Sequence, residues 1–158
     1  MLITATSALL IIHALVGIAL LGAITHQVVS LYLKRVGPRG TSFIGRYTSV
    51  NTQLFVLAIV TIYVIQILLG VLVYPAYRAN VRVEFEEMYL FKGVGIFEVK
   101  EHLAGIGLAL LPLYYWLWRP EVAETHRIDR AVITSMLAFI VWWGFLVGEV
   151  LNNIRGLA

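Results

Sequence analysis

Four stretches of this chain stay apolar long enough to cross a bilayer, and its charged residues gather between them. They run from about Ile3 to Leu33, Thr52 to Tyr77, Phe97 to Trp118 and Ala131 to Ile154. A hydrocarbon core of ~30 Å takes roughly 20 apolar residues in helical form. The runs are continuous rather than alternating strands of about ten residues, which argues against a transmembrane β-barrel. The expected fold is all-α, an integral membrane four-helix bundle forming one domain over residues 1–158. The first run has no basic residue ahead of it and far exceeds a signal-peptide core of 7–15 residues, so it reads as a retained helix.

Proline and charge refine this outline. Pro75 is expected to end the second helix and Pro120 the third, because proline lacks an N–H and its ring clashes with the preceding turn. Pro112 lies inside the third run, where bilayer helices tolerate it. The connection from Tyr77 to His102 reads as the longest loop, with Val81 to Met88 (VRVEFEEM) as a short extended or interfacial piece. The loop KRVGPRGTSFIGR, Lys34 to Arg46, has four basic residues and no acidic one, which makes it cytoplasmic by the positive-inside rule. Arg119 to Arg130 falls on the same side and both termini on the outer side. The expected location is a bacterial inner membrane.

Composition narrows the chemistry. The chain is 60% hydrophobic and 13% charged, with a net charge of +3 carried mainly in loops, which suits a lipid bilayer rather than nucleic acid. Cysteine is absent, which excludes disulfides, Fe–S ligation, thiolate zinc sites and covalent haem attachment. A bound metal would need His, carboxylate, Lys, Met or Tyr.

Ionisable residues within a bilayer are costly and tend to face the protein interior. At ~1.5 Å per residue, His13 lies about 31 Å above Lys34, His102 about 25 Å above Arg119 and Glu149 about 28 Å above Arg130. Three different helices thus bring polar groups to a similar outer level, joined within a turn by Lys100 and Glu101. His26 lies deeper and about 140° around the helix from His13, so the two cannot share one metal.

Haem b suits such a constellation: a flat apolar ring between helices, with His13 and His102 as axial ligands and His26 as a ligand at a second site. Glu98 or Glu149 would fix the tautomer of His102, and Arg78 and Lys100 would meet the propionates. Gly144 and Gly148 form a G-x-x-x-G pattern that lets another backbone approach closely.

The opening pattern of His13, small residues, Gly22 and His26, with Val99-Lys100 before His102, resembles the HemJ-type and CopD-like membrane families. That resemblance implies a small four-helix haem b protein with a first-helix histidine and a Val-Lys pair in the third helix. The aromatic-Met-Gly run of HemJ-type enzymes is replaced here by LVGIALLGA.

The leading expectation is a b-type cytochrome-like electron-transfer protein working between a quinone and an outer-side redox partner. Three alternatives stand beside it. One is a porphyrinogen oxidase in which Lys100, Glu101 and Glu149 move protons. Another is a site for copper or a different divalent metal on His13, His102, Glu101 and Glu149, with His26 as a ligand at a separate second site. The last is an accessory subunit of a respiratory or photosynthetic complex.

Overall fold

The structure, a computed structural model, describes residues 2–33 and 52–157. The basic loop from Lys34 to Arg46, on which the expected orientation rests, lies outside the described residues. All regular structure among the described residues is helical. Helix α1 spans Leu2–Tyr32 and α2 Thr52–Ala76; a π-helical turn, Tyr77–Val81, then leads into α3, Arg82–Glu87. Helix α4 covers Phe91–Leu117, α5 Pro120–Ala123 and α6 Arg127–Leu157.

Among the described residues, three helical stretches are long and apolar enough to cross a membrane: Ala5–Tyr32, Leu54–Glu87 and Arg127–Ile154. Helix α4, which holds the expected third span, is long enough but not apolar enough. Its first turns carry Lys92, Glu98, Lys100, Glu101 and His102, leaving Leu103–Leu117 as its apolar part. That part rises about 22 Å, short of a full hydrocarbon core.

Two other expectations are corrected. Pro75 does not stop α2; the chain continues through the π turn into α3. A π turn inserts an extra residue into the hydrogen-bond ladder and so accommodates an irregularity without ending the helix. The segment from Tyr77 to His102 is consequently not a long loop, and Val81 to Met88 is helical rather than extended. The reversal between α3 and α4 takes only a few residues. Leu90 donates its N–H to the Phe85 carbonyl at 2.8 Å and Tyr89 donates to Glu86 at 3.1 Å, the pattern of a Schellman C-cap. Tyr89 takes the left-handed position with φ 59°. Pro120 fits its expected role: α4 ends at Leu117 and the proline opens the short α5.

The long helices pack in sequence around one interior. Helix α1 lies against α2 and α6, and α4 against α6, while the seam between α2 and α4 is the least extensive of the four. Helices α1 and α4 therefore face each other diagonally. Two apolar clusters fill the interior. One, at the end shared by the C-terminal parts of α1 and α4, holds Leu20, Ile24, Val56, Ile59, Tyr63, Leu111, Tyr114, Trp118, Leu137 and Ala138. The other, at the opposite end, holds Phe85, Val94, Val147 and Leu151, with Phe97 and Trp143 packed on it. The outward faces are apolar too: Ile11, Leu15, Leu57, Leu68, Val71, Leu72 and Phe139 are all exposed.

Candidate functional site

Between the two apolar clusters the interior turns polar, and three of the long helices supply the groups. His13 projects from α1 towards α2, where Gln66 Nε2 lies 3.1 Å from its Nε2. An amide nitrogen only donates, so His13 Nε2 accepts and the ring proton sits on Nδ1. That Nδ1–H is buried without a hydrogen-bond partner among the described residues, as is Gln66 Oε1. Glycines make the contact possible. A Cβ on Gly17 would meet Gln66 Nε2 at 3.2 Å, and one on Gly70 would meet the His13 ring at 3.5 Å. Gly17 is one helical turn below His13, and Gly70 one turn beyond Gln66.

Lys100 reaches the same region from α4. Its side chain is only 16% exposed. Its Nζ sits 4.3 Å above the centroid of Phe97, a cation–π contact, and 3.9 Å from Glu101 Oε1. The aliphatic stem of Lys100 passes Gly144 of α6, whose Cβ would stand 3.9 Å from Lys100 Cγ. Tyr77, in the π turn, stacks on the other partner of this group, Phe97, with centroids 3.7 Å apart. The Tyr77 hydroxyl and the Trp143 indole N–H are buried without partners as well. His13, Gln66 and Lys100 are half-buried rather than sealed.

The remaining candidates stand elsewhere. His102 is exposed on α4. Two residues from Lys100 is a rotation of about 200°, which turns its side chain away from the interior. His102 Nδ1 donates to the Glu98 backbone carbonyl at 2.7 Å. The Glu98 carboxylate, one of the two expected partners, instead reaches Arg82 Nη1 at 3.5 Å. A shallow open groove beside His102 is lined by Glu101, Gly105, Ile106 and Ala109. The structure thus turns His13 and Lys100 towards the interior and leaves His102 exposed.

Glu149, expected to face the interior, is exposed on α6. Val147 and Leu151 are the buried neighbours, and a residue two positions from each lies on the opposite face of the helix. Gly144 of the G-x-x-x-G pattern packs on Lys100, whereas nothing lies within 4 Å of a Cβ on Gly148. Arg78 is exposed, with its guanidinium 6.0 Å from the Tyr74 ring centroid.

His26 is buried and stacks on Phe55 of α2 with centroids 4.3 Å apart. Both α1 histidines therefore meet α2, at levels about 20 Å apart along the helix. Gln27 and Thr134 are fully buried near His26 in sequence or depth, and Trp118 Nε1 donates to Thr134 Oγ1 at 3.1 Å.

Gln66 is the site residue that a search for histidines and charges passes over. Its signal in the sequence is an amide in the middle of YVIQILLG, a position that would otherwise be apolar. Among the described residues, no three His, Asp or Glu side chains gather to hold a metal ion. Comparison with protein-family models, curated proteins and solved structures finds no match for this chain.

Proposed function

We propose that the chain is an integral membrane protein whose four long helices cross the bilayer as a bundle and hold a small redox-active ligand between them. The ligand exchanges electrons with a partner at the outer surface. Support for insertion comes from the three long apolar helices and from the large apolar side chains they expose to their surroundings. Helix α4 contributes its apolar Leu103–Leu117 part to the hydrocarbon region and keeps its charged first turns at the outer headgroup level.

The observation that carries the ligand is the pair of buried polar atoms without partners, His13 Nδ1 and Gln66 Oε1, beside a largely buried Lys100. A buried donor or acceptor left unpaired costs about 1–3 kcal/mol. A ligand that bonds to both atoms removes that cost, and imidazole and amine can move the protons that accompany reduction of a ring.

The test is to purify the full chain in lipid nanodiscs, extract it with solvent and quantify small molecules per chain. A stoichiometric ligand that is lost in folded His13→Leu supports the reading. Retention of that ligand in His13→Leu, or its absence from the unmodified protein at every expression level, overturns it.

One observation favours a second reading, a haem b protein. The Nδ1–H of His102 is fixed on a backbone carbonyl, so Nε2 presents its lone pair outward beside Gly105 and Ala109, small residues that leave room for a flat ring. His102, without His13, would then be the axial ligand, with haem supplying one-electron chemistry. A reduced-minus-oxidised α-band abolished by His102→Leu and kept by His13→Leu supports this reading. A colourless protein removes it.

A further inference from the structure

We infer that the ligand head recognised by His13, Gln66 and Lys100 is a neutral, acceptor-bearing aromatic ring of the quinone class. The inference rests on the reading of this cluster as a ligand site and adds the chemistry of its occupant. Three considerations lead to it.

The first is the direction of the unpaired hydrogen bonds. Because Gln66 donates to His13 Nε2, the free His13 nitrogen is a donor. The Trp143 indole nitrogen is a donor only. Lys100 Nζ, a donor only, lies 3.9 Å from the Glu101 carboxylate, beyond hydrogen-bond distance. Donors predominate, so the missing groups are acceptors, as the two carbonyl oxygens of a quinone are. Gln66 Oε1 and the Tyr77 hydroxyl can accept from the hydroxyls of the reduced ring.

The second is charge. A carboxylate or phosphate head would also supply acceptors, but Glu101 already stands opposite Lys100. One ammonium and one carboxylate leave the cluster without net charge. A neutral carbonyl enters such a site without displacing an ion pair, whereas an anion would face Glu101.

The third is shape and access. Phe97 and Tyr77 stack on each other, and Phe97 and Trp143 both pack on the neighbouring apolar cluster. Flat aromatic faces suit a flat ring. The α2–α4 seam is the least packed of the four; Gln66 and Gly70 belong to one of its helices and Lys100 to the other. An apolar tail can leave through that seam into the surrounding lipid.

The experiment uses the full chain in nanodiscs, titrated calorimetrically with a ubiquinone bearing one isoprene unit and, separately, with oleate; empty nanodiscs give the blank. One lost hydrogen bond is worth about 1–1.5 kcal/mol, or roughly tenfold in affinity. Saturable quinone binding that weakens about tenfold in His13→Leu and in Lys100→Met supports the proposal. Gln66→Asn, which keeps the amide but shortens its reach, should weaken binding in the same sense and stands in for any variant that fails to fold.

Saturable oleate binding without quinone binding overturns the quinone class while leaving the ligand site in place. Quinone binding unchanged in all three variants overturns the site as well, and so does a chain that binds neither probe.

Discussion

A methyl group at Gly107 would collide with the Tyr63 hydroxyl and press on Ile140 at 3.3 Å. Tyr63 lies against α4 at that point because its hydroxyl donates to the Ala104 carbonyl at 3.0 Å. Hydrogen, rather than a methyl group, at position 107 is what lets a tyrosine ring from α2 bond to the backbone of α4. Gly107→Ala should destabilise the folded chain by about 1–3 kcal/mol through overpacking. Tyr63→Phe should cost about 0.5–1.5 kcal/mol through the lost bond. Because both residues act at one contact, the double variant should be more stable than the sum of the two losses implies. Chemical or thermal unfolding in detergent measures all three; strictly additive losses would show that the two residues do not act through this contact. At the other end, Thr134→Val removes the acceptor of the Trp118 indole and should cost about 1 kcal/mol.

At the level of the element, the α3–α4 turn carries a residue in a backbone state that suits glycine. Tyr89 sits at the left-handed C′ position of a Schellman cap and is 82% exposed, so its side chain gives little packing in return. Tyr89→Gly should therefore stabilise the chain, by about 1 kcal/mol on the usual cost of this conformation for a residue with a Cβ. A lower melting temperature for this variant would show that the tyrosine ring holds the turn through its edge contact with Phe91. Across the same turn Arg82 bonds Glu86 at 2.7 Å and Glu98 at 3.5 Å, and all three side chains are substantially exposed. Surface pairs of this kind add little. Arg82→Met should leave the melting temperature unchanged within error.

At the level of the whole molecule, the proposed bundle makes a topological statement that can be checked residue by residue. The chain has no cysteine, so each introduced cysteine is a unique label. Tyr89 and Ile128 are 82% and 79% exposed and flank α4. If α4 crosses the bilayer with the basic loops inside, Tyr89→Cys reacts with an impermeant maleimide in intact cells. Ile128→Cys then reacts only after permeabilisation. Labelling of both from one side would mean that α4 lies along the surface, as its 22 Å apolar part would allow at the limit. The reverse pattern would invert the orientation.

What the sequence determined by itself was carried by local composition. Long apolar runs without strand alternation dictate helices, so the four long helices and the breaks near Tyr32 and Leu117 are legible from residues 1–158 alone. The same runs conceal where a proline is tolerated, and the π turn after Pro75 and the helical Arg82–Glu87 segment were not readable. Depth along a helix is likewise a local quantity, and counting rise per residue brought His13 and Lys100 to one level.

Azimuth is not local. Which face of α4 or α6 turns inward depends on the partners each helix finds. That is why His102 and Glu149 share the depth of Lys100 but stand exposed. Only the tertiary structure could pair His13 with Gln66, a residue 53 positions away with no charge to draw attention to it. Packing of α1 on α2 through Gly17 and Gly70 decided that contact. It is set by side-chain volumes on two helices at once, which neither segment specifies alone.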